Sequence, residues 1–414
     1  MIGMELLACA FILAAVGLHP FTTYPLSLAA LAWLWPRPVA LRPAAPGPAP
    51  GPGPAPSLGP APSSGPAPSP ALSPGPGPSV ALCVCAYNEE AVIRAKAENM
   101  AALRRAVPGL ELLVYVDAAS DRTAELLRPY EDEMTVVVSP VRQGKTHGMN
   151  TLVGATTAEF VVFSDANVLF APDAIERLLA RFSDPAVGCV CGHLVYTATD
   201  GSATAATGSL YWRLEEAVKE LETRSGSTMG ADGSIFAIRR ALHRPPPPDI
   251  IDDMYVSLSI LCGGHRVVRA HDALAFEQAT ARAGDEFRRK VRIACQAFNV
   301  HRLLRPKLAR LGPLDRYKYV SHKLLRWFTV YLLCAAGLCG AAGLAALGAW
   351  VALLPAALGA AALLAAARLR PLGPTGKAVD VAAALVATGL GVVQSLRGKR
   401  FQVWTPPASA RMQG

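Results

Sequence analysis

The chain has 414 residues, of which 52% are hydrophobic and only 17% are charged, and its formal net charge is +9. This length indicates one full-sized soluble core together with further segments. The apolar residues concentrate before Trp35 and after Trp327, which predicts membrane segments near both ends. Because the basic residues cluster near these apolar ends and do not interleave with aromatic residues, the charge indicates an anionic membrane surface and argues against nucleic acid as a partner.

Residues 1–36 are predicted to form the first membrane segment. Its apolar stretch is long enough to cross a bilayer once with tilt, or to enter it as a broken helix. His19 and Pro20 interrupt the stretch, and we expect a helix break there. Arg37 and Arg42 follow the segment and no Lys or Arg precedes it, so the positive-inside rule predicts that the next part of the chain is cytoplasmic.

The next two regions differ sharply in composition. Residues 37–79 are rich in Pro, Ala, Gly and Ser, which predicts an extended, disordered linker. Residues 80–283 alternate strand and helix patterns, which predicts an α/β domain with a mostly parallel sheet and helices on both faces. The predicted strands are 80–86, 112–117, 134–139, 160–165, 187–197, 234–239 and 266–276. The predicted helices are 89–107, 121–128, 145–157, 172–182, 210–223 and 253–262.

The remaining residues are predicted to contact the membrane. Residues 284–326 form amphipathic interfacial helices in this prediction, because a helix over 286–304 combines apolar side chains at spacings of three and four with many basic ones. Packing of that helix against the α/β domain fits the same pattern. Residues 327–395 contain three apolar segments, at 327–347, 351–367 and 379–394. The third has basic flanks on both sides, so a span and an interfacial position both stay open, and residues 396–414 form a basic tail.

Polar residues stand at the carboxyl ends of three predicted strands. They are Tyr87, Asn88 and Glu89 after the first strand, Asp117 at the end of the second, and Asp165 and Asn167 at the end of the fourth. The carboxyl ends of parallel strands meet at one edge, where open α/β sheets bind ligands. Oxygen atoms from Asp165 and Asn167 suit a hard divalent cation with a phosphorylated substrate. An ordinary Asp/Asn turn after a strand is the plainer alternative.

Two further groups of residues belong to the same edge. The turn from Arg142 to Lys145 opens a helix, and it offers a cation and backbone amides to an anion. Asp252 and Asp253 open another helix, where carboxylates can act in proton transfer or simply complement the helix dipole. Together with the strand-end residues, these groups predict a nucleotide-sugar site.

In their order and spacing these motifs resemble those of membrane-embedded family 2 glycosyltransferases. That inverting group has an A-type (GT-A), Rossmann-like catalytic domain and includes hyaluronan, cellulose and chitin synthases and many exopolysaccharide enzymes. The resemblance covers residues 80–305 and the arrangement of flanking membrane segments. It implies a donor site formed by Tyr87, Asn88 and Glu89 as the opening motif, Asp117 at the nucleobase and Lys145 at the diphosphate.

The resemblance also implies a metal ion. Asp165-Ala166-Asn167 stands where the family has Asp-x-Asp, so Asp165 is expected to carry Mg²⁺ or Mn²⁺ and Asn167 to be a weaker, neutral second ligand. On the acceptor side, Asp232 and Gly233 match an acceptor-contacting segment.

The pair Asp252-Asp253 matches the acidic pair of the family, with Asp253 as the general base that takes the proton of the acceptor hydroxyl. One departure concerns the Q-x-x-R-W pattern of processive members, of which only Arg292 is retained. Arg292 is expected to meet the diphosphate. The missing tryptophan argues against processive synthesis.

The expected function is transfer of one sugar from a nucleotide diphosphate donor, with UDP favoured, to a lipid-linked or oligosaccharide acceptor. The reaction would take place at the cytoplasmic face of the cell membrane, by a multi-pass protein in contact with membrane lipids, in the synthesis of a surface polysaccharide or glycolipid. A processive polysaccharide synthase and a catalytically silent membrane scaffold are the two alternatives. The presence of Asp117, Lys145, Asp165 and Asp253 together counts against the silent scaffold.

Overall fold

A computed structural model describes five main stretches of the chain. They are residues 1–40, 79–197, 203–278, 283–355 and 374–403, with a few single positions between 358 and 365. The predicted linker lies almost wholly outside the described residues. So do part of the predicted apolar segment 351–367 and the tail after residue 403.

The described residues form one mixed β-sheet. Its strands are β1 (Val80–Ala86), β2 (Glu111–Asp117), β3 (Thr135–Ser139), β4 (Phe160–Asp165), β5 (Val168–Phe170), β6 (Val187–Thr197), β7 (Ile235–Arg239) and β8 (Arg266–Gln278). The strand order is β3-β2-β1-β4-β7-β6-β8-β5. The first four strands in this order are parallel to one another, β7 is antiparallel to both of its neighbours, and β5 is antiparallel to β8.

The α-helices of the described residues flank this sheet or extend from it. They are α1 (Ile2–Leu18), α2 (Thr23–Leu34), α3 (Ile93–Ala106), α4 (Thr123–Leu127), α5 (Lys145–Ala155), α6 (Ala174–Ala180), α7 (Ala203–Arg224), α8 (Asp252–Cys262), α9 (Ala283–Leu308), α10 (Pro313–Tyr319), α11 (Leu325–Ala346) and α12 (Pro374–Leu396). The predicted α/β alternation is confirmed. The bounds of β1, β4 and β6 coincide with those predicted, whereas the short strand β5 was not predicted.

The sheet is buried on both faces, which explains the uninterrupted apolar strands. Alternate side chains of β1 belong to different cores, with Leu82 and Val84 on one face and Cys83 on the other. The first face packs against α3 and α6, and the second against α5, α8 and α9. Helices therefore cover both faces of the parallel strands.

Three helices are long and apolar enough to cross a membrane, namely Ile2–Phe21, Pro313–Ala346 and Ala378–Leu396, if only the described residues are considered. The predicted break in the first apolar segment is confirmed, because a 3₁₀ turn over His19–Phe21 separates α1 from α2. α1 packs along α11, where the Thr329 hydroxyl donates to the Gly17 carbonyl at 3.2 Å. Small residues at such a contact let two apolar helices approach closely.

The helix α9 packs against the α/β domain, which was one of its two predicted positions. Its side chains Phe298, Leu304 and Leu308 are buried in the same core as Met254 of α8. α12 packs along α9, with Gly391 close to Ala294 and Val291. The predicted interfacial helix is therefore part of the protein core along much of its length.

A buried ionic network joins the α/β domain to the apolar helices that flank it. The ring of His322, just before α11, lies between two carboxylates of α7, with Nδ1 at 2.7 Å from Glu222 and Nε2 at 2.8 Å from Glu215. The Tyr24 hydroxyl of α2 also donates to Glu222. Because unpaired buried charges are costly, this arrangement fixes α7 relative to α2 and α11.

The C-terminal segment, residues 397–403, returns from α12 to the carboxyl edge of the sheet. The carbonyl of Lys399 accepts a hydrogen bond from Asn299 at 3.0 Å, and that of Phe401 accepts one from Gln296 at 3.2 Å. The Gln402 amide then donates to the Gln143 carbonyl at 3.1 Å. The segment thus connects α12 to the turn that precedes α5.

Candidate active site

The predicted site residues of the parallel strands meet at one edge of the sheet. In the strand register, Cys85 of β1 pairs with Asp165 of β4, and Ala86 pairs with Val116, one residue before Asp117 of β2. Asp117 and Asp165 therefore end the two strands, β2 and β4, that pair with β1 on either side. This convergence follows from the parallel pairing, which aligns carboxyl ends.

Asp117 holds the turn that opens α5. Its Oδ1 accepts the backbone N–H of Gln143 at 2.7 Å and its Oδ2 accepts that of Gly144 at 2.8 Å. These two amides are therefore bound to Asp117, whereas the sequence analysis assigned them to an anion. Each carboxylate oxygen can accept a further hydrogen bond, so Asp117 can still meet a ligand. Gly144 has φ +91°, and a Cβ there would overlap the Gln402 carbonyl oxygen, so the turn requires glycine.

The opening motif after β1 forms one side of the edge. The Arg142 guanidinium lies 3.5 Å from the centroid of the Tyr87 ring, a cation–π contact that places both residues beside the turn before α5. Asn88 has φ +52° and is linked to the end of β2, because its Oδ1 accepts the Ser120 N–H at 2.8 Å. The N–H of Glu89 donates to the Thr123 hydroxyl at 2.7 Å.

Backbone strain is concentrated at the same place. Among the described residues, the non-glycine residues with positive φ are Asn88 and Ala118, the latter at +51°. Both follow strands at the carboxyl edge. Such conformations are costly and persist where surrounding contacts hold them, which is common at ligand-binding sites.

Lys145 joins the strand-end residues to the acidic pair. Its Nζ lies 2.6 Å from Asp165 Oδ1 and 3.7 Å from Asp252 Oδ2. Burial lowers the pKa of Lys145, but the charges of Asp165, Asp252 and Asp253 outweigh that effect and raise it above the usual value. Lys145 is therefore a permanent cation between three carboxylates.

Asp252 and Asp253 open α8 beside Lys145. Burial and the adjacent charge of Asp252 raise the pKa of Asp253 to about 7, with Lys145 opposing the shift. Gly233 lies against this carboxylate, and a Cβ at position 233 would be 2.9 Å from Asp253 Oδ2. The structure therefore brings Gly233, Lys145 and Asp253 into direct proximity.

Asp232 has a different set of partners. One carboxylate oxygen accepts the Ser234 N–H at 3.2 Å, and the other lies 3.8 Å from Lys219 of α7. The carboxylate of Asp232 thus pairs with a cation of α7, while the next residue, Gly233, contacts Asp253. Arg292 of α9 donates to Gln296 at 3.3 Å on the same helix, next to the C-terminal segment.

Asn167 follows β4 and faces a residue that the sequence analysis did not single out. Its amide nitrogen donates to Glu277 Oε1 of β8 at 3.0 Å. Burial raises the pKa of Glu277 to about 7, with Arg289 opposing the shift and Asp165 adding to it. Polar residues at strand ends were the signal used for β1, β2 and β4, and the same signal applied to β8 identifies Glu277.

Lys96 was also missed. Its ammonium is fully buried behind the turn between β4 and β5, where it donates to the Ser164 hydroxyl at 2.7 Å and the Val168 carbonyl at 2.5 Å. Burial lowers the pKa of Lys96 to about 7. The signal in the sequence was a lysine on the apolar face of α3, between Ile93 and Met100.

The side-chain oxygens at this edge fit a divalent cation whose remaining coordination positions are filled by a bound ligand. Asp165 offers a partly exposed carboxylate, and the amide oxygen of Asn167 is not the atom bonded to Glu277, because a carboxylate can only accept and so faces the NH₂ group. Within the described residues, no three His, Cys, Asp or Glu side chains form a ready-made metal cage. Two protein oxygens and the oxygens of a diphosphate together suit Mg²⁺ or Mn²⁺.

Comparison with known proteins gives the family and the fold. The model of a family described as glycosyltransferase like family 2 matches residues 76–296, just over half of the chain. An N-acetylglucosaminyltransferase of Sinorhizobium fredii (strain NGR234) is 27% identical over 263 residues, covering 58% of this chain and 62% of that protein. A beta-monoglucosyldiacylglycerol synthase of Trichormus variabilis is 31% identical over 119 residues, covering 27% of this chain and 25% of that protein.

The chain spans about 60% of the length of the N-acetylglucosaminyltransferases that it matches. Among solved structures, a mannosyltransferase of Pyrobaculum calidifontis in complex with GDP-Man and Mn²⁺ has a TM-score of 0.69 and 22% identity, covering 95% of this chain and 99% of that one. This likeness confirms the predicted GT-A fold with its flanking helices. The matched family model confirms the predicted enzyme class, and the chain belongs to glycosyltransferase family 2.

Proposed function

We propose that the protein is a membrane-bound inverting glycosyltransferase that moves one sugar from a nucleotide diphosphate donor to a lipid-linked or oligosaccharide acceptor. The observation that carries this proposal is the position of Lys145, whose Nζ lies 2.6 Å from Asp165 and 3.7 Å from Asp252. A diphosphate bound at Asp165 would be next to a permanent cation. The carboxylates of α8 would then be next to the anomeric carbon.

The donor would be bound by the carboxyl edge of the parallel strands. Tyr87, Asn88, Glu89 and Asp117 would surround the nucleoside, with the base stacking on the face of the Tyr87 ring opposite Arg142. Asp165 and Asn167 would hold the divalent cation, which supplies charge stabilisation to the departing diphosphate when bound. Lys145 and Arg292 would bind the phosphate oxygens, and Lys145 would stabilise the same developing charge.

The acceptor would approach from the side of Gly233 and Asp232. Asp253 would take the proton from the acceptor hydroxyl as the new glycosidic bond forms, and the bond to the diphosphate breaks on the opposite face, which inverts the anomeric configuration. A pKa of about 7 suits a base that works at neutral pH. Asp252 would keep that pKa raised and help to position Lys145.

The proposal also specifies the sugar donor and the cellular compartment. UDP-linked sugars are the first donors to test, with N-acetylglucosamine first among the sugars, because several relatives are named N-acetylglucosaminyltransferases. GDP-mannose is the second donor, since the mannosyltransferase of the same fold was solved with it. The apolar helices and the basic residues after the first of them support a multi-pass protein of the cell membrane with a cytoplasmic catalytic domain.

The proposal is tested by nucleoside diphosphate release from protein in lipid nanodiscs. A panel of nucleotide sugars is tested with Mn²⁺ or Mg²⁺, with and without extracted membrane lipids, and the length of the product is measured. We expect release to require one donor, a divalent cation and the lipid fraction, and we expect addition of a single sugar. The variant Asp253→Asn should retain donor binding and lose at least about 100-fold in rate, since general-base catalysis contributes that much.

The matched control is Asp132→Asn. Asp132 is exposed in the turn before β3, at the opposite edge of the sheet, so its loss should leave release unchanged. Normal turnover by Asp253→Asn would refute the base assignment. Wild-type protein that binds no donor and releases no nucleotide would favour the silent scaffold instead.

A further inference from the structure

Glu277 lies beside the second predicted metal ligand because of the pairing of β5 with β8. In that antiparallel register Val168 pairs with Glu277, which places the Glu277 side chain next to Asn167. The Asn167 amide nitrogen lies 3.0 Å from Glu277 Oε1. β8 also pairs with β6, where Tyr196 is opposite Glu277, so the backbone at Glu277 is held from both sides.

The contact has a direction that matters for cation binding. A carboxylate can only accept hydrogen bonds, so the bond to Glu277 turns the NH₂ group of Asn167 towards β8. The amide oxygen of Asn167 then faces away from Glu277 and is available to a cation. Without this partner the amide could rotate and present its NH₂ group, which repels a metal ion.

The contact also changes the charge of the site. Asp165 and Asn167 together carry one negative charge, whereas a pair of carboxylates would carry two. When Glu277 is ionised, a state that a cation bound nearby favours, it supplies the missing charge from a neighbouring strand, within hydrogen-bond distance of the neutral ligand.

We propose that Glu277 is a positioning residue of the cation site, which orients the Asn167 amide oxygen towards the cation and restores the charge that asparagine lacks at position 167. This inference rests on the proposed function, because it concerns the same cation and diphosphate. Hydrogen-bond partners that orient the ligands of a metal ion contribute strongly to its affinity, although they do not touch the metal. Glu277 would therefore act through Asn167 and would not itself touch the sugar.

A purely structural role for Glu277 is the competing explanation. Glu277 also interacts with Arg289 of α9, which in turn has Tyr196 and Glu286 as partners. If Glu277 only neutralised Arg289, its replacement would change stability and leave cation affinity unchanged. Cation affinity is therefore the measurement that separates the two roles.

The experiment measures Mn²⁺ binding to the full chain in nanodiscs by the electron paramagnetic resonance signal of free Mn²⁺, with UDP or GDP present and no acceptor. Glu277→Gln keeps the size of the side chain and removes its charge. We expect this variant to bind Mn²⁺ about 10- to 100-fold more weakly, the usual range for losing a partner of a metal ligand. Asn167→Asp in the Glu277→Gln background returns a carboxylate to the site and should recover most of the affinity.

The control variant is Glu286→Gln. Glu286 lies 3.5 Å from Arg289 and 3.5 Å from Lys290, so its loss removes a nearby negative charge and a partner of Arg289 without touching Asn167. We expect Glu286→Gln to bind Mn²⁺ like the wild type. Thermal unfolding of each variant verifies that it is folded, and Glu277→Asp, which keeps the charge but shortens the side chain, should lose less affinity than Glu277→Gln.

Either of two results would overturn this inference and leave the proposed function standing. One is Mn²⁺ affinity in Glu277→Gln equal to that of the wild type. The other is an Asn167→Asp substitution that changes affinity by the same factor in the wild-type background and in the Glu277→Gln background, because independent positions act additively. Failure of the wild-type protein to bind Mn²⁺ with either nucleotide would instead overturn both this inference and the metal-dependent function.

Discussion

At the residue scale, the chemistry of the site depends on how closely charges are grouped. Lys145 touches Asp165 and approaches Asp252, and Gly233 lets the chain pass against Asp253. The sequence analysis grouped Lys145, Asp165 and the acidic pair because each ends a parallel strand or opens a helix at the same edge. It assigned Gly233 through the family resemblance. It missed Glu277 and Lys96, whose roles depend on the pairing of β5 with β8 and on burial behind the β4–β5 turn.

The raised pKa of Asp253 predicts an acidic limb in the activity profile. A base must be deprotonated to accept a proton, and burial with the Asp252 charge raises the pKa of Asp253 to about 7. We therefore expect kcat/KM to be half-maximal near this pH and to fall about tenfold per pH unit below it, as one ionisation requires. The measurement is kcat/KM for the donor between mildly acidic and mildly basic pH.

The variant Asp252→Asn tests the cause of that shift. Loss of the Asp252 charge removes a repulsion that raises the pKa of Asp253, so the acidic limb should move to lower pH even if the maximal rate falls. Asp132→Asn, with its exposed carboxyl at the far edge of the sheet, should leave the limb in place. A limb that stays fixed or moves to higher pH in Asp252→Asn would contradict the assignment.

At the element scale, strands buried on both faces were the easiest to predict. The apolar runs of β1, β4 and β6 begin and end where expected, because no polar residue interrupts them. β5 was missed since its three residues follow the Asp165–Asn167 turn and pair only with β8. The position of α9 stayed open because an amphipathic pattern does not say whether lipid or protein covers the apolar face.

The close packing of α12 on α9 predicts that Gly391 is essential to this contact. A Cβ at position 391 would lie 2.5 Å from the Ala294 Cβ and 2.6 Å from the Val291 carbonyl oxygen, so a side chain would push the helices apart. We expect Gly391→Leu to lower the free energy of unfolding by about 1–3 kcal/mol, the usual cost of overpacking. Thermal unfolding in nanodiscs would measure it.

The matched control for Gly391 is Gly337 of α11. A Cβ at Gly337 would meet nothing within 4 Å in the described part of the chain, so Gly337→Leu places the same side chain in open space. That variant should unfold at about the wild-type temperature. Equal unfolding temperatures for the two variants would contradict the expected overpacking at Gly391.

At the scale of the whole molecule, the sequence predicted the order of the segments along the chain better than the contacts between distant segments. Apolar segments at both ends and the α/β domain between them follow from composition and hydropathy. The network of His322 with Glu215 and Glu222 does not, because it joins residues about 100 positions apart that carry no local pattern. The return of the C-terminal segment to the Gln143 turn was unpredictable for the same reason.

The C-terminal segment could make activity depend on the thickness of a surrounding bilayer. α12 is apolar enough to span a membrane, and only a few residues after it Gln402 is bonded to the turn that Asp117 holds. A bilayer thinner or thicker than the apolar length of a helix makes that helix tilt. Tilting of α12 would pull on the turn before α5, which we propose binds the donor, so KM for the nucleotide sugar should depend on lipid acyl-chain length.

This dependence can be measured in nanodiscs of phosphatidylcholines that differ only in chain length. Gln402→Ala removes the bond to the Gln143 carbonyl and should weaken the dependence, whereas equal KM values across all bilayers in the wild type would show that the segment transmits no strain. In the expected case the thickness of the surrounding membrane becomes a determinant of donor affinity, and the lipid composition of a cell would tune the enzyme without any dedicated effector.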